Sequence, residues 1–321
     1  MEEGCPRVRW SFSRRTKIGH RPGIVGVTET PTSIAIAYAN AQESKPKVQV
    51  IFQAADTLAD KQAILKKFVA ENQLQGVLCS YVLSSGDYSL NLVDAPLVAK
   101  EEIPRAMRWV VRDLINFPVE EAVIDIFEVP FPRVRDNVRM IYAAVMRKPV
   151  VDKIEALINP SGLSVAFIDI PELVLRNILV RNPQKLKGCV FVYLGDKGGK
   201  LILCRDEQIC IARSFELKLE ALGQDPVQNN KILESLALEI QRSFDYMNSV
   251  FRQNIPNVIV MAPTVLDKNS LEVSLKSNLG AEVYSLKLSE QLTLSNPMTE
   301  SDEVNSLLAI GATLRTEEKP E

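Results

Sequence analysis

The sequence predicts an α/β protein built from two α/β lobes. Three observations support this prediction. Short apolar runs of strand length alternate with amphipathic helical repeats from residue 22 to residue 180. A new set of short strands begins at Gly188, after a polar link at 181–187. A long helical repeat and further strands then follow. An α/β pattern that begins twice indicates two lobes with a cleft between them.

Composition places the chain among ordinary soluble proteins. It has 321 residues, enough for two domains, with 46% hydrophobic residues, 24% charged residues and a net charge of −2. This charge gives no general attraction to nucleic acid. The sequence contains no apolar run of the ~20 residues that span a bilayer, and its N-terminus lacks the apolar core of a signal peptide. We therefore expect a cytoplasmic protein.

The cysteines and the histidine argue against several catalytic classes. None of the five cysteines forms a C-x-x-C pair, and three lie inside apolar runs, as buried free thiols do. Free thiols fit a reducing compartment. His20 is the only histidine, which disfavours a Ser-His-Asp triad, a Cys-His pair and a histidine-based zinc site.

The first lobe is expected at 22–187, after a flexible basic tail at 1–21. Two interpretations of the tail remain open, a solvated segment or a weak contact with anionic lipid. The apolar runs predict strands at 23–27, 33–38, 48–52, 76–80, 89–93, 119–129 and 163–168. Helical periodicity predicts helices at 59–69, 103–115, 137–147 and 151–158, and one that follows Asp169 and ends near Val180. Some of these helices are extra elements inserted into the first α/β pattern.

The helix at 103–115 has the clearest amphipathic pattern of the first lobe. Its predicted buried stripe repeats at spacings of four, three and four, and contains Ile103, Met107, Val110 and Leu114. Its arginines, at 105, 108 and 112, fall on other faces. Pro118 disfavours helix in the residue before it and ends the repeat.

The second lobe, expected at 188–315, opens with a β-meander. Apolar runs at 190–194, 201–204 and 209–215 are separated by polar turns. The glycine-rich turn at 195–199 is either a tight hairpin or a cradle whose backbone N–H groups bind phosphate. It is not a P-loop, because the spacing of its glycines is one residue short and Lys200 precedes a leucine.

The remaining pattern completes an α/β lobe. We predict helices at 228–252 and 269–279, strands at 258–261 and 283–288, an apolar segment at 307–314 and an acidic tail at 316–321.

Four segments, in order along the chain, carry a resemblance to a known family. They are residues 108–125, 167–172, 239–246 and 308–315. They resemble the PilM family of actin-like proteins from type IV pilus machines, and most of all its MshI branch, named for the MSHA pilus. The resemblance implies an actin/Hsp70-like ATPase fold with two RNase H-like lobes. It also implies a PilM/FtsA-type subdomain inserted in the first lobe, at about 84–148.

The same resemblance implies a partner and a location. PilM-like proteins are cytoplasmic and bind the cytoplasmic N-terminal segment of a PilN-like inner-membrane protein, which for the MshI branch is MshJ-like. The chain would thus be a structural adaptor at the inner face of the inner membrane, meeting the membrane only through its partner and binding no nucleic acid.

We expect the helix at 103–115 and the strand after it to form the partner's groove. The candidate contacts are Arg105, Arg108, Trp109 and Arg112, because arginine and tryptophan are frequent interface anchors. The alternative is a solvated helix face with a core tryptophan.

The family binds ATP with magnesium, and this chain departs from its pattern. Residues 28–31 (Thr-Glu-Thr-Pro) stand where the family's first phosphate loop has Asp-x-Gly, and residues 193–195 (Tyr-Leu-Gly) stand at the second. The adenosine-side loop, 262–264, is Ala-Pro-Thr. If a nucleotide site is retained, the resemblance assigns it to Gly195, Asp196, Lys197, Gly198, Gly199, Glu239, Arg242, Ser243 and Thr264.

The missing aspartates predict a degenerate site. Magnesium is usually held through carboxylates and phosphates, and phosphoryl transfer needs that metal. We expect no catalytic and no metal-binding residues. An active actin-like ATPase, with Asp196 or Glu29 holding magnesium through water, is the alternative. A small-metabolite kinase needs an aspartate base and has less support. The cytoplasmic domain of the secretion protein GspL is a structural alternative.

Overall fold

The structure is a computed structural model that describes residues 21–181, 188–195, 198–216, 226–253, 258–264 and 267–315. The predicted tails, apart from Arg21, lie outside these residues, and so do Asp196 and Lys197. Among the described residues, no helix is long and apolar enough to cross a membrane.

Fourteen strands and eight α-helices make up the described part of the chain. In chain order the strands are β1 (Ile24–Thr30), β2 (Ser33–Ala39), β3 (Lys47–Ala54), β4 (Leu78–Val82), β5 (Tyr88–Asp94), β6 (Ala122–Glu128), β7 (Met140–Arg147), β8 (Ser164–Asp169), β9 (Cys189–Gly195), β10 (Gly198–Arg205), β11 (Gln208–Phe215), β12 (Val258–Met261), β13 (Glu282–Ser285) and β14 (Thr293–Leu294). The helices are α1 (Leu58–Glu71), α2 (Ile103–Val111), α3 (Lys148–Ile158), α4 (Pro171–Val180), α5 (Pro226–Phe251), α6 (Lys268–Leu279), α7 (Leu288–Gln291) and α8 (Glu300–Thr313).

Two sheets repeat one arrangement. The first has the order β14-β3-β2-β1-β4-β8 and the second β11-β10-β9-β12-β13. In each, three antiparallel strands are followed by a helix and by strands that run parallel to the first one. Strand β2 is buried along its whole length, and both α1 and α8 contact it. The sequence prediction of two α/β lobes is therefore confirmed.

A third sheet, of order β5-β7-β6, lies between β4 and β8 in the chain. Helix α2 packs on it, and its buried residues Ile103, Met107 and Val111 form a small core with residues of β7 such as Ile141 and Val145. These elements fall within the range predicted for the inserted subdomain, 84–148. We call them the inserted subdomain below.

Three local predictions for this subdomain are wrong. Residues 140–147 form a strand rather than a helix, because β7 is the central strand and is buried on both faces, which hides any alternation. The helix predicted at 103–115 ends in a 3₁₀ turn that leaves Leu114 47% exposed. Residues 119–121, predicted as strand, also form a 3₁₀ turn.

The C-terminal helix α8 belongs by its packing to the first lobe, although it lies within the range 188–315 predicted for the second. It contacts β1, β2 and α4. The approach is close at Gly26, where an added Cβ would lie 2.1 Å from the carbonyl oxygen of Ala309. Strand β14 likewise pairs with β3. Helix α8 and strand β14 thus complete the lobe to which β1 belongs.

Candidate functional site

A cavity of about 580 Å³ lies in the cleft between the two lobes. Its walls come from the β1–β2 turn, residues 83–85 after β4, the start of α4, the two sides of the β9–β10 turn, the end of β11 and α8. The β1–β2 turn and the β9–β10 turn stand at the places of the family's two phosphate loops. A retained nucleotide site would therefore lie in this cleft, and its described residues show which groups could hold a nucleotide.

The β1–β2 turn has few groups left to offer a phosphate. Pro31 has no backbone N–H, and the N–H of Thr32 donates to Oγ1 of Thr30 at 3.3 Å. That oxygen also lies 2.6 Å from Oγ of Ser33. The turn satisfies its own polar groups, whereas a phosphate loop leaves backbone N–H groups open to the ligand.

The Glu29 carboxylate is already paired with a cation. Nζ of Lys61 lies 2.9 Å from Oε2 of Glu29, and the Tyr81 hydroxyl donates to Oε1 at 2.8 Å. Burial, reinforced by Glu29, raises the pKa of Tyr81 well above its usual value, so this hydroxyl stays a donor. A lysine ammonium thus holds the carboxylate that the alternative ATPase hypothesis gives to magnesium.

The glycines of the β9–β10 turn have a packing role. Gly198 has φ of +120°, and a Cβ there would lie 2.4 Å from the carbonyl oxygen of Phe215. At Gly199 it would lie 2.1 Å from the Phe215 ring, and at Gly195 3.0 Å from the Tyr193 ring. These contacts favour the hairpin interpretation of the turn. Asp196 and Lys197 lie outside the described residues.

Lys200, directly after this turn, ends in a buried polar cluster. Its Nζ lies 2.8 Å from Oε1 of Glu172 and donates to the Tyr88 hydroxyl and to Oγ of Ser214, both at 3.1 Å. The Tyr88 hydroxyl donates to Oε2 of Glu172 at 2.6 Å. Three contacts use all three hydrogens of the ammonium. This cluster was not predicted from the sequence, in which the one indication of it is a charged residue, Lys200, beside an apolar run.

Three of the four predicted adenosine-side residues lie together on α5. On α5, the Glu239 carboxylate lies 2.5 Å from Arg242 and 3.8 Å from Arg213 of β11. Buried Ser243 donates to the backbone oxygen of Glu239 at 2.8 Å. Thr264 is buried after β12. None of Glu239, Arg242, Ser243 and Thr264 is among the residues that line the described cavity.

Two charged residues of the described cavity wall already have ionic partners. Glu29 is paired with Lys61 and Lys200 with Glu172, so a magnesium nucleotide that used either residue would have to displace its partner. The described residues contain no group of three or more His, Cys, Asp or Glu side chains that could hold a metal ion. The rest of the described wall carries hydroxyls, apolar groups and one further carboxylate, Glu216.

The four predicted partner contacts form one exposed stripe on α2 and the 3₁₀ turn after it. Arg105, Arg108, Trp109 and Arg112 follow the i, i+3, i+4, i+7 spacing of a helix face, and all are exposed. Trp109 is 70% exposed, so the core position that the alternative gave to this tryptophan is wrong, whereas its solvated helix face stays an alternative. The Arg112 guanidinium lies 5.6 Å from its ring centre, and Arg108 donates to the carbonyl oxygen of Val119 at 2.8 Å.

Comparison of the sequence with protein families and with curated proteins finds no match. Solved structures do match. One described as a PilM-PilN type IV pilus biogenesis complex has a TM-score of 0.69 at 16% identity, over 92% of this chain and 98% of that one. A Bacteroides thetaiotaomicron protein of unknown function, described as having an actin-like ATPase fold, has a TM-score of 0.50 at 11% identity, over 89% and 95%.

A third structure is the cytoplasmic domain of EpsL, an inner-membrane component of the type II secretion system of Vibrio cholerae. It has a TM-score of 0.49 at 11% identity, over 88% of this chain and 93% of that one. The predicted fold class is confirmed by the two stronger matches: the chain has the actin-like ATPase fold.

Proposed function

We propose that this chain is a structural adaptor of a type IV pilus assembly machine, of the PilM-like kind and specifically of the MshI branch that serves an MSHA-type pilus. One observation carries the proposal: the similarity to the PilM-PilN complex extends over 92% of this chain and 98% of the other. The adaptor would work in the cytoplasm, at the inner face of the inner membrane, and reach the membrane only through its partner.

The proposed partner is the cytoplasmic N-terminal segment of a PilN-like or MshJ-like inner-membrane protein. The exposed stripe of α2 supports this, because it presents an aromatic ring and three guanidinium groups at the surface. We propose Arg105, Arg108, Trp109 and Arg112 as the contacts. Tryptophan and arginine supply a large share of the energy of many protein interfaces.

The cleft is proposed to be a degenerate nucleotide site, with ATP and magnesium replaced by internal ion pairs. The pairing of Glu29 with Lys61 and of Glu172 with Lys200 supports this part. A nucleotide at Gly195, Asp196, Lys197, Gly198, Gly199, Glu239, Arg242, Ser243 and Thr264 would be the finding that favours the active ATPase instead.

The test measures binding of a synthetic peptide, the N-terminal cytoplasmic segment of the PilN-like protein of the same organism, by fluorescence anisotropy. We expect binding, and a loss of at least tenfold, or about 1.4 kcal/mol, for Trp109→Ala. The control is Val273→Ala, a side chain that is 68% exposed on α6 in the second lobe. Equal affinities for Trp109→Ala, Val273→Ala and the unchanged protein would refute the contact surface, and absence of binding would refute the adaptor role.

A parallel melting experiment addresses the cleft. A ligand at a hundredfold excess over its Kd stabilises the native state by about 2.7 kcal/mol. We expect millimolar Mg-ATP to leave the melting temperature unchanged, and a rise of several degrees would contradict the degenerate site.

A further inference from the structure

The Lys200 cluster joins three parts of the molecule. Lys200 lies on β10 and Ser214 on β11, both in the second lobe. Glu172 lies in the first turn of α4, in the first lobe, and Tyr88 begins β5 of the inserted subdomain. The side chains of Lys200 and Glu172 are only 8% and 1% exposed. One buried ion pair with its hydrogen bonds is therefore shared by both lobes and the inserted subdomain.

The cluster has the geometry of a specific link. Both oxygens of the Glu172 carboxylate are used, one by Lys200 at 2.8 Å and the other by Tyr88 at 2.6 Å. Burial, and next the Glu172 charge, raises the pKa of Tyr88 well above its usual value, so its hydroxyl remains a donor. A buried charge that loses its partner costs far more than an exposed one. Separation of the lobes would break this pairing.

Further contacts hold the inserted subdomain against the second lobe. The Tyr142 hydroxyl accepts from the backbone N–H of Ala212 at 2.9 Å. The guanidinium of Arg205 lies 5.7 Å from the centre of the Phe131 ring. In the β6–β7 connection, the N–H of Val134 donates to the carbonyl oxygen of Val250, near the end of α5, at 3.0 Å. The Lys200 cluster is thus one of several contacts between the inserted subdomain and the second lobe.

From this arrangement we propose that Lys200, Glu172 and Tyr88 form an interlobe latch, which holds the cleft in one conformation without any ligand. A ligand that bridges two lobes closes them by contacting both. Here the ion pair between the Lys200 ammonium and the Glu172 carboxylate bridges the two lobes in place of a ligand. The latch proposal rests on the proposed degenerate site, and it explains how the cleft of such a site keeps one conformation without a ligand. It also makes the inserted subdomain and the second lobe one mechanical unit.

The experiment measures the distance between spin labels in the two lobes by pulsed electron paramagnetic resonance, with no nucleotide and no peptide present. The labels are placed through Lys67→Cys on α1 and Val273→Cys on α6, whose side chains are 73% and 68% exposed. Cys79, Cys189, Cys204 and Cys210 are buried, and Cys5 is replaced by Cys5→Ser. The labelled full chain serves as the reference.

We expect one narrow distance distribution for the reference and a broader one, extended to longer distances, for Lys200→Met. Lys61→Met is the matched control, because it removes an ion pair of similar length that lies within the first lobe alone; it should keep the narrow distribution. If Lys200→Met does not fold, Tyr88→Phe, which removes one hydroxyl, decides the question by the same measure.

An unchanged narrow distribution in the folded latch variants would overturn the proposal. So would an equal broadening in Lys61→Met, because the effect would then be general loosening. Neither outcome depends on peptide or Mg-ATP binding, so a failure of the latch is distinguishable from a failure of the proposed function.

Discussion

At the scale of single residues, two lysines at the cleft, Lys61 and Lys200, are each held by a carboxylate. Each lies within 3 Å of a carboxylate, at 2.9 Å from Glu29 and 2.8 Å from Glu172. A polyanion entering the cleft would have to compete with both carboxylates for these cations. The missing aspartates at the phosphate loops can be seen in the sequence, but these ion pairs cannot, because partners 28 residues apart or more meet only in the folded chain.

The buried thiols give the first prediction at this scale. Burial raises the pKa of Cys210 to about 12, and raises the pKa of Cys79 as well. An unfolded chain loses thiol protons at a pKa of ~8.5. The thiols therefore contribute their full stability below pH ~8.5 and lose it progressively as the pH rises toward the folded-state values.

We expect the free energy of unfolding in urea to fall between pH ~8.5 and ~10. The variant Cys210→Ala should show a shallower fall, since it removes one of the titrating groups. A free energy that rises over this range, or a slope equal in the variant and the unchanged protein, would contradict the assignment to Cys210.

At the scale of elements, the strands of the second-lobe meander were predictable and the strand β7 was not. Residues 190–194, 201–204 and 209–215 alternate with polar turns, and all three runs became strands. Residues 140–147 are buried almost throughout between β5 and β6. A short apolar run of this kind fits a helix and a central strand equally well, so periodicity alone could not decide between them.

The close packing of α8 against β1 leads to a prediction about stability. An added Cβ at Gly26 would meet a backbone oxygen of α8 at 2.1 Å, whereas one at Gly86 would meet nothing within 4 Å. We expect Gly26→Ala to destabilise the protein by about 1–3 kcal/mol and Gly86→Ala to change stability by less than about 0.5 kcal/mol. Urea unfolding of the two variants measures both. Similar losses in both would mean that α8 does not press against β1 as described.

At the scale of the whole molecule, the order of elements was more informative than any single motif. The α/β pattern that begins twice along the chain predicted two lobes, and the structure has them. The contacts between lobes could not be predicted, because they depend on how three folded units meet. The return of residues 300–313 to the first lobe is a further example, because the apolar segment predicted at 307–314 does not reveal which sheet it covers.

The shared contacts predict how the whole molecule unfolds. Because the Lys200 cluster, Tyr142 and Phe131 connect the inserted subdomain to the second lobe, we expect one calorimetric transition. The ratio of calorimetric to van't Hoff enthalpy should be about 1. For Lys200→Met we expect a ratio clearly above this value, as the lobes begin to melt separately. Two resolved peaks in the unchanged protein would show that the contacts do not couple the lobes.

The position of α8 also has a consequence for the order in which the protein is made. The ribosome produces β1 first and α8 last, yet the two pack against each other at Gly26. The surface of β1 and β2 that α8 covers stays open while the nascent chain grows. The lobe whose synthesis begins first is therefore finished last, because translation must pass residue 313 before α8 can cover β1 and β2.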